Sequence, residues 1–131
     1  MTIDKDSETH RNMINYMVVL LSKSGYEDIK ADISSCKGKP NKIIWKGTGK
    51  GFEPDITAVK NRQLHLFNVE TEKTIPLMNR SKRIHLFASF ASHNDAVFSI
   101  VVPMGYQEVA SKQLNELNVF AGVIEIPIQC I

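Results

Sequence analysis

The stretch GFEPDITAVKNRQLHLFNVETEK, residues 51–73, decides how the chain folds. Two apolar runs, DITAV and LHLFNVE, joined by KNRQ after a glycine-rich connection, predict the two strands of a β-hairpin. A half-solvated strand alternates polar with apolar residues, and a fully buried one carries no charge. The second run does neither, because it ends in Glu70 and Glu72. On a strand from Leu64 to Glu72, residues two apart share a face: Asn68, Glu70 and Glu72 point one way, Phe67, Val69 and Thr71 the other. Asp55 opens the preceding strand, and antiparallel pairing with a bend near Pro54 brings it to Glu70 at the open end of the hairpin. Carboxylates placed together repel, each unit of pKa shift costing roughly 1.4 kcal/mol, so a compensating positive charge is expected. A hard divalent cation with oxygen ligands is the economical answer. The other reading of the same residues is a strand leaving the core into solvent, with Asp55 a loop residue after a proline.

Outward from the hairpin, the pattern predicts helices on either side. Met13, Ile14, Met17, Leu20 and Leu21 recur at three- and four-residue spacing, predicting a first helix capped by Asp6 or Ser7 and stopped by Gly25. Glu8 falls in its first turn. YEDIKADIS alternates as a half-exposed strand, and CKGKPN turns the chain into KIIWKG, so those two runs are expected to be neighbouring strands. After the hairpin, Ile84, Phe87, Ala88 and Ala91 form one helical stripe. AVFSIVVP reads as a central strand buried on both faces, GYQEVASKQLNELN as a third helix, and GVIEIPI as an edge strand marked by Pro127. The expected class is α/β, a mixed sheet flanked by helices on both faces in the order αβββαβαβ.

At 131 residues the chain is expected to be one domain spanning 1–131. Its 43% hydrophobic and 23% charged content argues against disorder. The longest apolar run, Met17 to Leu21, is too short to span a membrane, and MTIDKDSETH is acidic where a secretion signal is basic and then apolar, so a cytoplasmic protein is expected. Cys36 and Cys130, far apart and without a pairing pattern, are read as reduced thiols. A net charge of +2 implies no partner, but its distribution is uneven. Lys37 to Lys50 holds five lysines and no acid, and NRSKR adds Arg80, Lys82 and Arg83.

Familiar motifs fail on spacing. Gly47, Gly49 and Gly51 suggest a phosphate loop, yet Lys50 is followed by Gly51 instead of Ser or Thr, and Phe52 stands where a dinucleotide fingerprint has glycine. A flexible loop without phosphate chemistry is expected there. His10, His65, His85 and His93 show no i, i+4 pair, which argues against a histidine metal site, and no G-x-S-x-G elbow occurs.

Pro54-Asp55, followed after a hydrophobic strand by Glu70, resembles the signature of the PD-(D/E)XK nuclease superfamily, and the element order is similar to that of archaeal Holliday-junction resolvases and related small restriction-endonuclease-like proteins. The resemblance implies magnesium- or manganese-dependent hydrolysis of DNA phosphodiester bonds, with Asp55, Glu70 and the backbone carbonyl of Thr71 as metal ligands and Glu8 assisting through water or a second ion. Such a metal polarises the phosphate and lowers the pKa of the attacking water. Lys46, Lys50, Lys82 and Arg83 would neutralise backbone phosphates, and a homodimer is implied by likeness to the resolvases. The chain departs from the pattern where the family has lysine: Glu72 stands there, and Lys73 comes one residue later, on the opposite face of a regular strand. Some members carry glutamate at this place, and Lys46 or Lys82 can supply the missing lysine. Two functions follow as expectations: a metal-dependent DNA endonuclease, or a nuclease-like fold without catalysis serving as a DNA-binding or protein-interaction module.

Overall fold

The computed structural model describes residues 5–127, with side chains from Glu8 onward. Helix α1 (Lys5–Lys23) begins earlier than the expected cap and ends where Gly25 takes a φ of 85° and the Tyr26 amide reaches back to the Leu21 carbonyl at 3.1 Å. That backbone conformation is cheap for glycine alone. Strand β1 (Glu27–Ala31) follows, then a small ribbon of β2 (Ile43–Ile44) and β3 (Gly51–Phe52). The hairpin β4 (Ile56–Lys60) and β5 (Gln63–Val69) turns through Asn61 and Arg62, at φ 53° and 65°. Two positive φ values are what a two-residue turn needs to match strand twist. A 3-10 turn (Ile75–Arg80) leads into α2 (Lys82–His93), then β6 (Val97–Pro103), α3 (Gln107–Leu117) and β7 (Gly122–Ile126).

The main sheet has five strands in the order β1-β4-β5-β6-β7, antiparallel as far as β5 and parallel beyond it. This is the mixed sheet flanked by helices that the sequence predicts. The crossovers from β5 to β6 and from β6 to β7 step the same way along the sheet, so crossovers of one hand put α2 and α3 on one face. Side chains confirm the layering. Met13, Met17 and Leu21 of α1 pack with Ile56, Ala58, Phe67 and Val101, whereas Ile84 and Phe87 of α2 and Ala110 and Leu114 of α3 pack with Leu66, Ile100 and Val102. Successive residues of β5 and β6 thus serve opposite layers, as the pleat requires, and β6 is buried on both faces as expected.

Two expectations are corrected. β1 does not neighbour the KIIWKG strand: β1 pairs with β4, and β2 pairs only with β3. Local alternation marks a strand but not its partner, and Ala31 and Ile56 gain more by burying together over α1. The second correction is that β5 stops at Val69, and residues 72–74 form a turn. Among the described residues, no helix is long and apolar enough to cross a membrane. Cys36 is half-buried beside the α1 layer, and Cys130 lies outside the described residues.

Candidate functional site

Pairing of Ile56 with Phe67 fixes the register of the hairpin and sets Asp55 beside Asn68 at its open end. Ile56 and Ala58 face α1, as do Phe67 and Val69, so alternation turns Asn68 toward the α2 layer. Asn68 donates to Glu70 Oε2 through its amide nitrogen. The Glu70 amide bonds the Val101 carbonyl at 2.9 Å, anchoring the residue to β6 just past the end of the ladder. Asp55 and Glu70 therefore converge as the pairing predicts.

The positive charge that this convergence requires comes from the protein itself. Ser81 caps α2 by accepting from the Ile84 amide at 3.0 Å, and this places Arg83 in the first turn, directed at the hairpin end. Arg83 Nη2 donates to Asp55 Oδ1 at 3.2 Å and its Nε donates to Asn68 Oδ1 at 2.6 Å. Its guanidinium lies 5.0 Å from the Phe87 ring centre and 6.0 Å from that of Phe52, so aromatic faces hold the fork in place. From α1, His10 Nε2 approaches Asp55 Oδ1 to 3.3 Å. The Val69 amide donates to Asp55 Oδ2 at 2.7 Å. Both oxygens of Asp55 are thus engaged, and its side chain is only 13% exposed.

Titration follows from this geometry. The hydrogen bond to Asp55 holds the His10 pKa above its ordinary 6.5, against the opposing effect of burial. Burial pushes the Glu70 carboxyl above its ordinary 4.5; the charge of Asp55 adds to this, while hydrogen bonds with Thr74 and Asn68 oppose it.

Several predicted site residues take other places. Thr71, expected to offer its carbonyl to a metal, spends it on the turn: it accepts from the Thr74 and Ile75 amides at 3.0 Å each and from the Thr74 hydroxyl at 3.2 Å. Glu72 does not share a face with Glu70, because the strand has ended; it is exposed and lies against Tyr106, whose phenol is pushed up by desolvation and then by the charge of Glu72. Lys73 is exposed in the same turn. Glu8 is exposed, and the α1 side chain that reaches Asp55 is His10, two residues on. Arg83, expected on a phosphate-binding surface, instead pairs with Asp55. Lys46, Lys50 and Lys82 are exposed as that surface would need. The glycine-rich loop is a hydrogen-bonded turn, with the Lys50 amide donating to Thr48 Oγ1 at 3.0 Å and the Trp45 amide to the Lys50 carbonyl at 2.9 Å.

His10, Asn68 and Arg83 complete the site, and spacing alone gave no role to the first two. The one available signal was a polar residue inside a run of buried strand: Asn68 is 1% exposed between Phe67 and Val69. A buried amide on a strand must bond something, and here it bonds both Arg83 and Glu70.

Asp55 and Glu70 are hard oxygen donors of the kind magnesium takes, but the site as arranged does not fit the cation. Arg83 and His10 occupy the outer oxygen of Asp55, the Thr71 carbonyl is consumed, and Glu72 is engaged with Tyr106. Among the described residues, no group of three or more His, Cys, Asp or Glu side chains is placed to hold a metal ion. Compared with known proteins, the chain matches no family model, no curated protein and no solved structure.

Proposed function

We propose that this chain is a nucleic-acid-binding domain on a restriction-endonuclease-like architecture, in which Arg83 stands beside Asp55 in the place that a hydrolytic member gives to a cation. The observation that carries this reading is the fork of Arg83 on Asp55 and Asn68, at 3.2 and 2.6 Å. A guanidinium neutralises the acidic pair without supplying Lewis acidity, so the fold keeps its charge balance and gives up the chemistry. The binding surface is the lysine-rich segment through the ribbon, where Lys37, Lys39, Lys42, Lys46 and Lys50 are all exposed with no acid among them. Exposed lysines of this kind neutralise phosphates and release counterions irrespective of base sequence. The test is binding to double- and single-stranded DNA across a salt series. Replacing Lys46 and Lys50 by alanine should shallow the logarithmic salt slope by roughly two phosphate contacts. An unchanged slope removes the segment from the interface, and no binding at low salt removes the reading.

A second reading, a magnesium- or manganese-dependent DNA endonuclease, is favoured by the convergence of Asp55 with a half-buried Glu70 of raised proton affinity. It requires Arg83 and His10 to leave Asp55. Incubation with linear, single-stranded, flapped and four-way DNA in either metal, against Asp55→Asn as control, separates the two: cleavage that the variant loses establishes the hydrolase. A homodimer belongs to this second reading, and light scattering with and without DNA decides it.

A further inference from the structure

Between the ribbon and the sheet lies a cavity of about 490 Å³, away from the Asp55 network. Its volume is in the range that takes a small organic ligand. Leu64 and Leu66 of β5, Ile43 of the ribbon and Phe90 of α2 form its apolar wall. Thr57 of β4, 8% exposed, and Asn41 bring a hydroxyl and an amide into that wall. Lys30 and Lys42 stand at the cavity as well, with Asp28 paired to Lys30 at 3.9 Å, so the lining carries one net positive charge from two lysines and one aspartate. Lys42 belongs to the exposed lysine segment that leads away from the cavity in both directions along the chain.

An apolar wall with one aromatic ring, two groups able to bond a polar edge, and cations continuing outside it describe a particular ligand. A flat, mostly apolar body with hydrogen-bonding edges, attached to a chain of anions, is a nucleotide of an unpaired strand. A duplex keeps its bases stacked and cannot offer one. We propose that this cavity receives an unstacked base of single-stranded nucleic acid, packed on Phe90 between Ile43 and Leu64, with neighbouring phosphates on Lys30 and Lys42. The inference rests on the nucleic-acid reading above and narrows it to single strands. Stacking on an aromatic side chain and phosphate neutralisation then act together, as single-strand binders combine them.

The experiment uses the full chain and two probes of equal length and charge: a twelve-residue oligothymidylate and its abasic counterpart, read by fluorescence anisotropy at fixed low salt. The oligothymidylate should bind about tenfold more tightly, the effect expected from one stacked base. Phe90→Leu, or Thr57→Val should Phe90→Leu melt below the assay temperature, should bring it down toward the abasic level. Equal affinity of the two probes for the wild type overturns the base pocket while leaving electrostatic binding standing. Base dependence that survives both substitutions also overturns it, since another surface then reads the base. Failure of both probes to bind overturns the pocket and the nucleic-acid reading together.

Discussion

Arg83 and Asp55 form a clamp between the first turn of α2 and the open end of the β4–β5 hairpin, 3.2 Å apart and 28 residues apart in the chain. Because the Asp55 side chain is only 13% exposed, deleting its partner leaves a poorly solvated carboxylate. Arg83→Ala should therefore cost about 1–3 kcal/mol in denaturant unfolding, the scale of a lost bond to a charged group. Arg83→Lys should recover little of it, because a single ammonium nitrogen does not reproduce the planar fork that sets Nε on Asn68 and Nη2 on Asp55. In Asp55→Asn the same arginine substitution should cost clearly less. Additive effects in that double-mutant cycle would mean that the clamp contributes nothing.

Stability should fall as pH rises from about 6 to 8. His10 is protonated in the fold above its ordinary 6.5, so its stabilising contact with Asp55 is complete below 6.5 and fades as pH climbs through the raised value. Glu70 acts in the same direction at lower pH. Its folded pKa lies above 4.5, so the native state binds the extra proton and gains stability as pH falls toward 4.5. Melting temperatures across pH 5–8 check both. His10→Gln should flatten the upper part of the profile and Glu70→Gln the lower part; profiles parallel to wild type would contradict the assignment.

Glu72 should be nearly silent in stability. An exposed carboxylate in a turn, turned away from Glu70, relieves no repulsion when removed, so Glu72→Ala should stay within about 0.5 kcal/mol of wild type. It should instead lower the phenol pKa of Tyr106, which an ultraviolet titration of the tyrosines reads. A rise in melting temperature on removing Glu72 would place its charge back beside Glu70.

The ribbon depends on Gly51. A side chain there would run into the Ile43 carbonyl across the two-residue pairing of β2 with β3. Gly51→Ala should open the ribbon and lift Trp45, which packs edge-on against Phe52 at 5.7 Å. As the chain's one tryptophan, Trp45 should then show a red-shifted emission. An unshifted spectrum would mean that the ribbon accommodates the methyl group with Trp45 still packed on Phe52.

Most of the architecture was legible because each element carries its own periodicity. The stripe of Ile84, Phe87 and Ala91 specifies α2 without reference to anything distant, and the apolar run from Val97 makes β6 the buried centre of the sheet. Asp55 and Glu70 were legible together because hairpin register is local: a two-residue turn fixes every pairing behind it. What lay beyond local rules was lost. Whether β1 pairs with β2 or β4 depends on which arrangement buries Ala31, and no spacing encodes that. The end of β5 at Val69 is set by Thr71 and Thr74 closing a turn through side-chain and backbone hydrogen bonds, so extending the alternation to Glu72 put that residue on the wrong face. Arg83 looked like one more member of a basic segment. Its role appears only once α2 is laid against the hairpin.

If a guanidinium, and no metal ion, balances Asp55 and Glu70, the chain should leave manganese unbound. Calorimetric titration of manganese chloride into the wild-type chain at pH 7, with Asp55→Asn alongside, tests it most directly. Neither protein should give saturable heat, because Arg83 and His10 hold the outer oxygen of Asp55 and the Thr71 carbonyl is committed to its turn. Stoichiometric binding to the wild type that Asp55→Asn abolishes would contradict it and return the site to metal chemistry.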